Sequence, residues 1–153
     1  MTDIANRYEI SSLTNDKVKL INSLHHRKYR REHNLFVAEG IRICREAVEN
    51  GWEIRYLLYD NLNADAQKIE NLISDVLCLG TDVIGVTSEI LSKISHKENP
   101  QNVLCVICQK WNDLPSVIKE KTFVALEAVR DPGNLGTILR TMDGVGATDC
   151  ILL

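Results

Sequence analysis

Near the start of the chain, apolar residues recur at spacings of three and four, which is the period of an amphipathic helix. Val18, Ile21 and Leu24 form the stripe, with Leu20 beside it, and Asn15 precedes it as a candidate N-cap. The pattern therefore predicts a helix that begins after Asn15 and buries one side.

Short apolar runs then alternate with further helical patterns as far as residue 108. The runs are typical of strands, and the segments between them carry apolar residues on one side only. The pattern predicts strands at 35–38, 54–59, 76–79, 83–86 and 103–108, and helices at 41–49, 64–74 and 88–95, the last one capped by Ser88.

The run at 103–108 is apolar at every position, as expected for a strand that is covered on both faces. Because strands and helices alternate before it, we expect residues 1–109 to form one three-layer α/β/α domain. Residues 110–121 contain Pro115 and several charges, which predicts a linker.

Residues 122–153 repeat the alternation once. A strand is predicted at 123–128, a tight turn at 131–134, a helix at 135–143 and a second strand at 149–153. A strand-helix-strand unit needs a parallel sheet around it, since two strands cannot bury both of their faces. We therefore expect that the chain is part of a longer protein or that another molecule completes this unit.

The composition is that of a globular protein, with 44% hydrophobic and 25% charged residues. No apolar run approaches a membrane-spanning length, and the first residues lack a secretory signal, so we expect a cytoplasmic protein without a membrane partner. Among the five cysteines, Cys105 and Cys108 have the separation of a metal or redox pair. On a strand that offset points the two side chains to opposite faces, so we expect neither a metal nor a redox site. The cysteines are odd in number and mostly lie in apolar stretches, so we expect no disulfide framework.

Positive charge is concentrated near the start of the chain, although the whole chain has a net charge of -3. Residues 1–33 hold seven Lys or Arg against four Asp or Glu, a net charge of +3. This cluster is a local footprint for phosphate. A solvated helix whose last cations complement the helix dipole explains it equally well. The cations without an intervening acid are Lys17, Lys19, Arg27, Lys28, Arg30 and Arg31.

Glycines at the last strand-to-helix turn raise the question of nucleotide binding. Gly133 and Gly136 have a G-x-x-G spacing, but the dinucleotide fingerprint needs three glycines at the turn and the phosphate loop needs Gly-Lys-Ser/Thr. A phosphate-loop function is therefore disfavoured. From residue type alone, Asn134 would cap the helix and Arg140 would be a surface cation.

The stretch DPGNLGTILRT at residues 131–141 closely resembles the first motif of the SpoU (TrmH-like) RNA 2′-O-ribose methyltransferases of the SPOUT superfamily. The motif is specific because it fixes an Asn, a Gly and an Arg within seven positions. The resemblance extends upstream to the N-terminal substrate-binding domain of that family, whose fold resembles certain ribosomal RNA-binding proteins. The similar stretches are residues 12–19, 27–30, 36–40 and 99–104.

The resemblance implies that Asn134 and Arg140 belong to an active site and that the six cations bind ribosomal or transfer RNA. It implies S-adenosylmethionine as the methyl donor, a homodimeric intact protein, and residues 122–153 as the first strand-helix-strand unit of a parallel α/β-knot domain. The family motifs that hold the donor lie downstream of the counterpart of Leu153. We therefore expect this chain alone to bind RNA without holding the donor or catalysing transfer.

Two other functions fit the sequence. A stand-alone RNA-binding module without enzymatic activity would keep the basic cluster and the first domain. A small-ligand α/β protein would carry the cluster without using it.

Overall fold

The structure is a computed structural model that describes residues 6–62, 66–97, 99–111, 123–147 and 149–153, without the side chains of residues 66 and 67. Contacts divide the chain into two units, Met1–Trp111 and Asn112–Leu153, and each unit has its own sheet. The first unit contains β1 (Arg7–Ile10), α1 (Asp16–Ser23), α2 (Arg27–His33), β2 (Leu35–Glu39), α3 (Ile41–Glu49), β3 (Ile54–Asp60), α4 (Ala66–Cys78), β4 (Asp82–Val86), α5 (Ser88–Ser95) and β5 (Val103–Cys108).

The five strands of the first unit form one mixed sheet in the order β1-β4-β3-β5-β2. β1, β4 and β3 run parallel to one another. β5 is antiparallel to both of its neighbours, with Leu104 opposite Leu58 of β3 and Val106 opposite Val37 of β2. The predicted mixed α/β class is therefore confirmed.

Alternate residues of the central strands enter two apolar clusters, one on each face of the sheet. Leu57 and Cys105 pack with apolar residues of α3 and α4. Leu58 and Leu104, their neighbours in sequence, pack with apolar residues of α1 and α5. Because helices cover both faces, β5 is buried from its first residue to Ile107, as its continuous apolar run predicts.

One strand prediction is wrong, and one observed strand was not predicted. The strand predicted at 76–79 is wrong, because Val76 continues the helical stripe of Ile69, Leu72 and Ile73 and α4 runs to Cys78. Conversely, β1 was not predicted. The sequence RYEI has no apolar pattern, and only its last residue is buried. The strand forms because its backbone pairs with β4 at the edge of the sheet.

Helix caps depend on single side chains. Asn15 caps α1 as predicted, since its Oδ1 accepts from the backbone N–H of Lys17 at 2.9 Å. The predicted cap at Ser88 is wrong. Thr87 caps α5 instead, while the Ser88 hydroxyl donates to Asp60 Oδ2 at 2.6 Å.

The second unit contains β6 (Phe123–Leu126), α6 (Pro132–Gly144) and β7 (Asp149–Leu152), and its two strands pair in parallel. The predicted strand-helix-strand order is thus present. β6 ends before the predicted residue 128, because Ala128 has a φ of 53°, which is incompatible with a strand. The predicted linker at 110–121 lies outside the described residues except for Lys110 and Trp111.

Among the described residues, no helix combines the length and the apolar character needed to cross a membrane. All five cysteines are free thiols. Cys105 and Cys108 contact the clusters on opposite faces of the sheet, as their spacing predicts. Across the described ranges, no group of three His, Cys, Asp or Glu side chains is placed to hold a metal ion.

Candidate nucleic-acid interface and candidate active-site turn

The basic cluster forms a short helix of its own, α2. It follows the C-cap of α1 at Leu24 after a brief turn and ends at Asn34, which has a left-handed φ of 54°. None of its residues is buried, because the sequence RKYRREH offers no apolar stripe. The helix therefore leaves its cations near solvent, where they can meet an anionic partner.

Arg30 differs from the other cations of α2. Its Nη1 donates to the carbonyl oxygens of Leu24 and His25 at 3.0 and 2.7 Å, and so ties α2 to the end of α1. Carbonyl groups at a helix C-terminus favour a cation in this position. The other three cations of α2 are exposed; they are Arg27, Lys28 and Arg31.

The two predicted RNA contacts on α1 have partners within the protein. The Lys17 ammonium donates to the Tyr8 hydroxyl, lies 3.4 Å from Asp82 Oδ2 and sits over the Tyr8 and Tyr56 rings. Burial opposes its charge, yet the contacts with Tyr8, Tyr56 and Asp82 raise the pKa of Lys17 above its usual value. Lys19 pairs with Asp16 at 3.1 Å on the exposed side. The structure thus groups four of the six predicted cations on α2 and leaves two on α1.

A groove of about 540 Å³ lies beside α2, and we call it the α2 groove. Its walls come from the α1–α2 turn, β2, the start of α3 and the end of α5. The apolar part includes the buried residues Leu24, Ala38 and Ile94. The other residues used below are His25, Arg30, Phe36, Glu39, Ile43 and Lys97.

Glu39 is the buried polar centre of the α2 groove, with a side chain only 8% exposed. Its oxygens accept from the Gln101 backbone N–H at 2.7 Å, from the Ser95 hydroxyl at 2.9 Å and from the Lys97 ammonium at 2.9 Å. Burial alone would raise its pKa, but these three partners hold the pKa of Glu39 below its usual value. The charged carboxylate therefore fixes Lys97 at the groove. Sequence reasoning missed this pair because the two residues are distant in the chain.

Two histidines stack between the turn after α1 and the end of α5. The rings of His25 and His96 stack with centroids 3.8 Å apart. His25 Nε2 contacts the carbonyl oxygen of Ile94, and His96 Nε2 lies 2.8 Å from Asn22 Oδ1. These contacts join the end of α1 to the end of α5.

In the second unit, Asp131 caps α6 by accepting the backbone N–H of Asn134 on its Oδ1 at 2.7 Å. The interpretation of Asn134 as the helix cap is therefore wrong. A Cβ at Gly133 would come within 3.0 Å of the same carboxylate oxygen, so the glycine leaves room for the cap. Asn134 is exposed in the first turn of the helix.

Arg140 is exposed on α6, less than two turns after Asn134. Its Nη2 lies 3.9 Å from the position that a Cβ would take on Gly136. The guanidinium therefore extends back along the helix toward the N-terminal turn, the direction in which helical side chains lean. The fold places both predicted catalytic residues on one helix.

Comparisons with known proteins cover both units. Residues 15–105 match the family model of the MRM3-like substrate binding domain. The chain is 30% identical over 144 residues to 23S rRNA (guanosine(2553)-2′-O)-methyltransferase RlmP of Bacillus subtilis (strain 168), a match that covers 94% of this chain and 54% of that protein. It is 31% identical over 120 residues to 23S rRNA (uridine(2479)-2′-O)-methyltransferase of Streptomyces viridochromogenes, covering 76% and 41%. The chain thus spans about half the length of the curated relatives that it matches.

Solved structures show the same likeness. The crystal structure of an rRNA methyltransferase from Sinorhizobium meliloti superposes with a TM-score of 0.82 at 37% identity, covering 95% of this chain and 54% of that one. The SpoU methyltransferase AviRb from Streptomyces viridochromogenes, solved with AdoMet, gives 0.77 at 29% identity, covering 90% and 52%. Since the family model covers more than half of the chain and these relatives align with both units, the chain belongs to the SpoU (TrmH-like) family and carries its MRM3-like substrate-binding domain.

Proposed function

We propose that this chain is part of an S-adenosylmethionine-dependent RNA 2′-O-ribose methyltransferase that acts on ribosomal or transfer RNA. One observation carries the proposal: a relative named for 2′-O-methylation of 23S rRNA aligns with 94% of the chain, including the turn with Asn134 and Arg140. An AdoMet-bound rRNA methyltransferase from Sinorhizobium meliloti covers 95% of it at 37% identity. These relatives favour an enzyme over a stand-alone RNA-binding module.

The two units have different roles in RNA methylation. We assign residues 1–109 to binding of the RNA substrate, as a three-layer α/β/α domain similar to ribosomal RNA-binding proteins. Apolar clusters on both faces of the sheet and the family match at 15–105 support the assignment. Residues 110–121 act as the linker, and residues 122–153 open a parallel α/β-knot methyltransferase domain.

Asn134 and Arg140 serve the chemical step. A ribose 2′-hydroxyl is a poor nucleophile at neutral pH, so the enzyme must orient it and ease the loss of its proton. Because a guanidinium almost never deprotonates in a protein, Arg140 is not the base. It binds the neighbouring phosphate and stabilises the negative charge that develops on the 2′-oxygen. Asn134, which the helix does not need as its cap, orients the ribose through its amide.

S-adenosylmethionine supplies the methyl group in this family. A hollow of about 300 Å³ in the second unit lies at the opposite end of α6 from Asn134 and is lined by residues such as Met142 and Cys150, so it would not hold the donor beside the proposed catalytic residues. We therefore propose that the 153-residue chain alone neither binds the donor tightly nor methylates RNA. Titration calorimetry with S-adenosylmethionine should give no saturable heat, and tight one-to-one binding would contradict this.

The intact protein acts in the cytoplasm as a homodimer. The bacterial source of the two 23S rRNA methyltransferase relatives supports the compartment. The dimer follows from the family resemblance, and light scattering of the intact protein tests it.

Salt-dependent binding of RNA tests the part of the proposal that concerns the first unit. If Arg27, Lys28, Arg30 and Arg31 contact phosphates, affinity for structured ribosomal RNA must fall steeply with salt. Binding measured between about 50 and 200 mM salt should weaken by at least roughly tenfold. Affinity that does not change with salt would instead favour the small-ligand α/β protein.

A further inference from the structure

We propose that the α2 groove receives one unstacked nucleotide of the RNA, with the base against the apolar walls and a phosphate at the rim. The inference rests on the proposed function, because it takes RNA as the partner of the first unit. It adds a subsite and a substrate form, an unpaired nucleotide in a loop or bulge.

The groove has the size and lining that a base needs. Its volume of about 540 Å³ falls within the range of sites that enclose small ligands. Leu24 and Ile94 line the groove but are nearly inaccessible to solvent, so the surface open to a ring comes from the more exposed lining residues.

Two apolar side chains in the lining of the α2 groove are partly exposed to solvent. Phe36 is half-buried and meets Trp52 edge to face, with ring centroids 5.9 Å apart. Ile43, on α3, is 49% exposed although it is large and apolar. Proteins bind unpaired bases by contact of the ring with aromatic and apolar side chains, and Phe36 and Ile43 offer such contact.

The rim carries the charge that a phosphate needs. Lys97 is held at the rim by Glu39, and Arg30 lines the same groove from α2. The described hydrogen bonds of Arg30 all use Nη1, so its other N–H groups can donate to a phosphate. The exposed cations Arg27, Lys28 and Arg31 extend the positive surface from this rim along α2. This charge complements a nucleic acid strand rather than a neutral ligand.

Base pairing would keep a base out of the groove. In an RNA duplex the bases are stacked and the deep groove does not admit side chains, whereas unpaired bases in loops and bulges can be turned outward. A hollow that holds one ring therefore selects a loop nucleotide.

Three RNA probes test this inference with the 153-residue protein. The first is a hairpin with a loop of roughly eight nucleotides, the second has the same backbone but an abasic loop, and the third is a blunt duplex of equal charge. The ordinary loop should bind roughly tenfold more tightly than the abasic loop, since base stacking is lost in the latter. Equal affinity of the ordinary and abasic loops would overturn the inference.

Matched variants test the position of the subsite. Ile43→Glu places a negative charge at the groove, whereas Leu79→Glu makes the same change at another exposed apolar residue that is not part of its lining. Lys97→Ala removes the rim cation, whereas Lys93→Ala removes a cation of α5 that is not part of the lining. Circular dichroism should show that all four variants are folded.

Ile43→Glu and Lys97→Ala should each weaken hairpin binding by roughly fivefold or more, with the two controls within about twofold of the wild type. Equal losses in test and control variants would overturn the inference while RNA binding itself stands. If the wild type binds none of the three probes, or binds them without salt dependence, the proposed function fails first.

Discussion

His96 joins two helices through its ring and should make stability depend on pH. Its ring stacks on His25, and burial, followed by the nearby His25 and His26, lowers the pKa of His96 below its usual value of about 6.5. As the pH falls below about 6.5, the unfolded chain takes up a proton that folded His96 resists. The free energy of unfolding should therefore decrease until the pH passes the lower, folded pKa.

Urea denaturation at several values between about pH 7.5 and pH 5 measures this decrease. His96→Asn, which suits the left-handed backbone at φ 55°, should flatten the pH dependence. His33→Asn on the exposed helix α2 is the matched control, because it removes one imidazole away from the His25–His96 stack. The same slope in both variants would assign the effect to other groups.

Ala128 stores backbone strain beside the turn that leads to Asn134. Its φ of 53° is left-handed, a conformation that costs a residue with a Cβ about 1–2 kcal/mol. Ala128→Gly should therefore stabilise the second unit by about 0.5 kcal/mol, after the entropic cost of glycine is subtracted. Thermal melting measures the change. Ala125→Gly, in the extended strand β6, should instead destabilise it, so a melting temperature lowered by both would argue against strain at Ala128.

At the scale of elements, the start of α6 gives two nearby residues different roles: Asp131 caps the helix, and Asn134 is proposed to act in catalysis. Asp131→Ala removes the side chain that accepts the Asn134 backbone N–H and should lower stability by about 1 kcal/mol. Asn134→Ala keeps that backbone donor and should leave stability within about 0.5 kcal/mol. In the intact enzyme, Asn134→Ala should nevertheless reduce methyl transfer at least roughly tenfold.

Melting curves of the two variants and transfer of a labelled methyl group to ribosomal RNA provide the measurements. If Asn134→Ala lowers stability as much as Asp131→Ala does, Asn134 has a structural role.

Apolar periodicity predicts those elements that bury a stripe of side chains of their own. The stripe of α1 and the continuous run of β5 are of this kind, and both elements are found where the pattern places them. β1 was missed because it buries one residue and depends on pairing with β4. Val76 was misassigned because a short apolar run fits a strand and a helix end equally well, and only the core contacts of α4 decide.

At the scale of the whole molecule, the sequence predicts a charge cluster but not which of its cations are free. Lys17 and Arg27 look alike in the sequence, yet Lys17 is occupied by Tyr8 and Asp82, whose positions depend on β1 and β4. The α2 groove was also beyond sequence reasoning, since Glu39 and Lys97 meet only when β2 and α5 are packed. Local motifs predict residues of a site, whereas partners from distant elements require the fold.

An acidic chain that binds RNA must do so through the position of its charges. Residues 34–153 hold eleven Lys or Arg against seventeen Asp or Glu, so this part repels a polyanion in sum. Screening confines such repulsion to about 10 Å at 0.1 M salt. A cluster on one exposed helix can therefore attract phosphates although the net charge of the chain is negative.

Two triple variants with the same net charge test whether RNA binding depends on where the cations lie or on the net charge of the chain. Arg27, Lys28 and Arg31 changed to Ala remove the exposed cations of α2, whereas Arg42, Arg45 and Lys68 changed to Ala remove three cations on α3 and α4. Both variants lower the net charge of the chain by the same amount. If α2 contacts phosphates directly, the first variant should reduce the slope of log affinity against log salt by roughly 2, at about 0.7 per single-stranded phosphate contact. The second should leave the slope nearly unchanged, and equal slopes in the two variants would show that net charge, not α2, governs RNA binding.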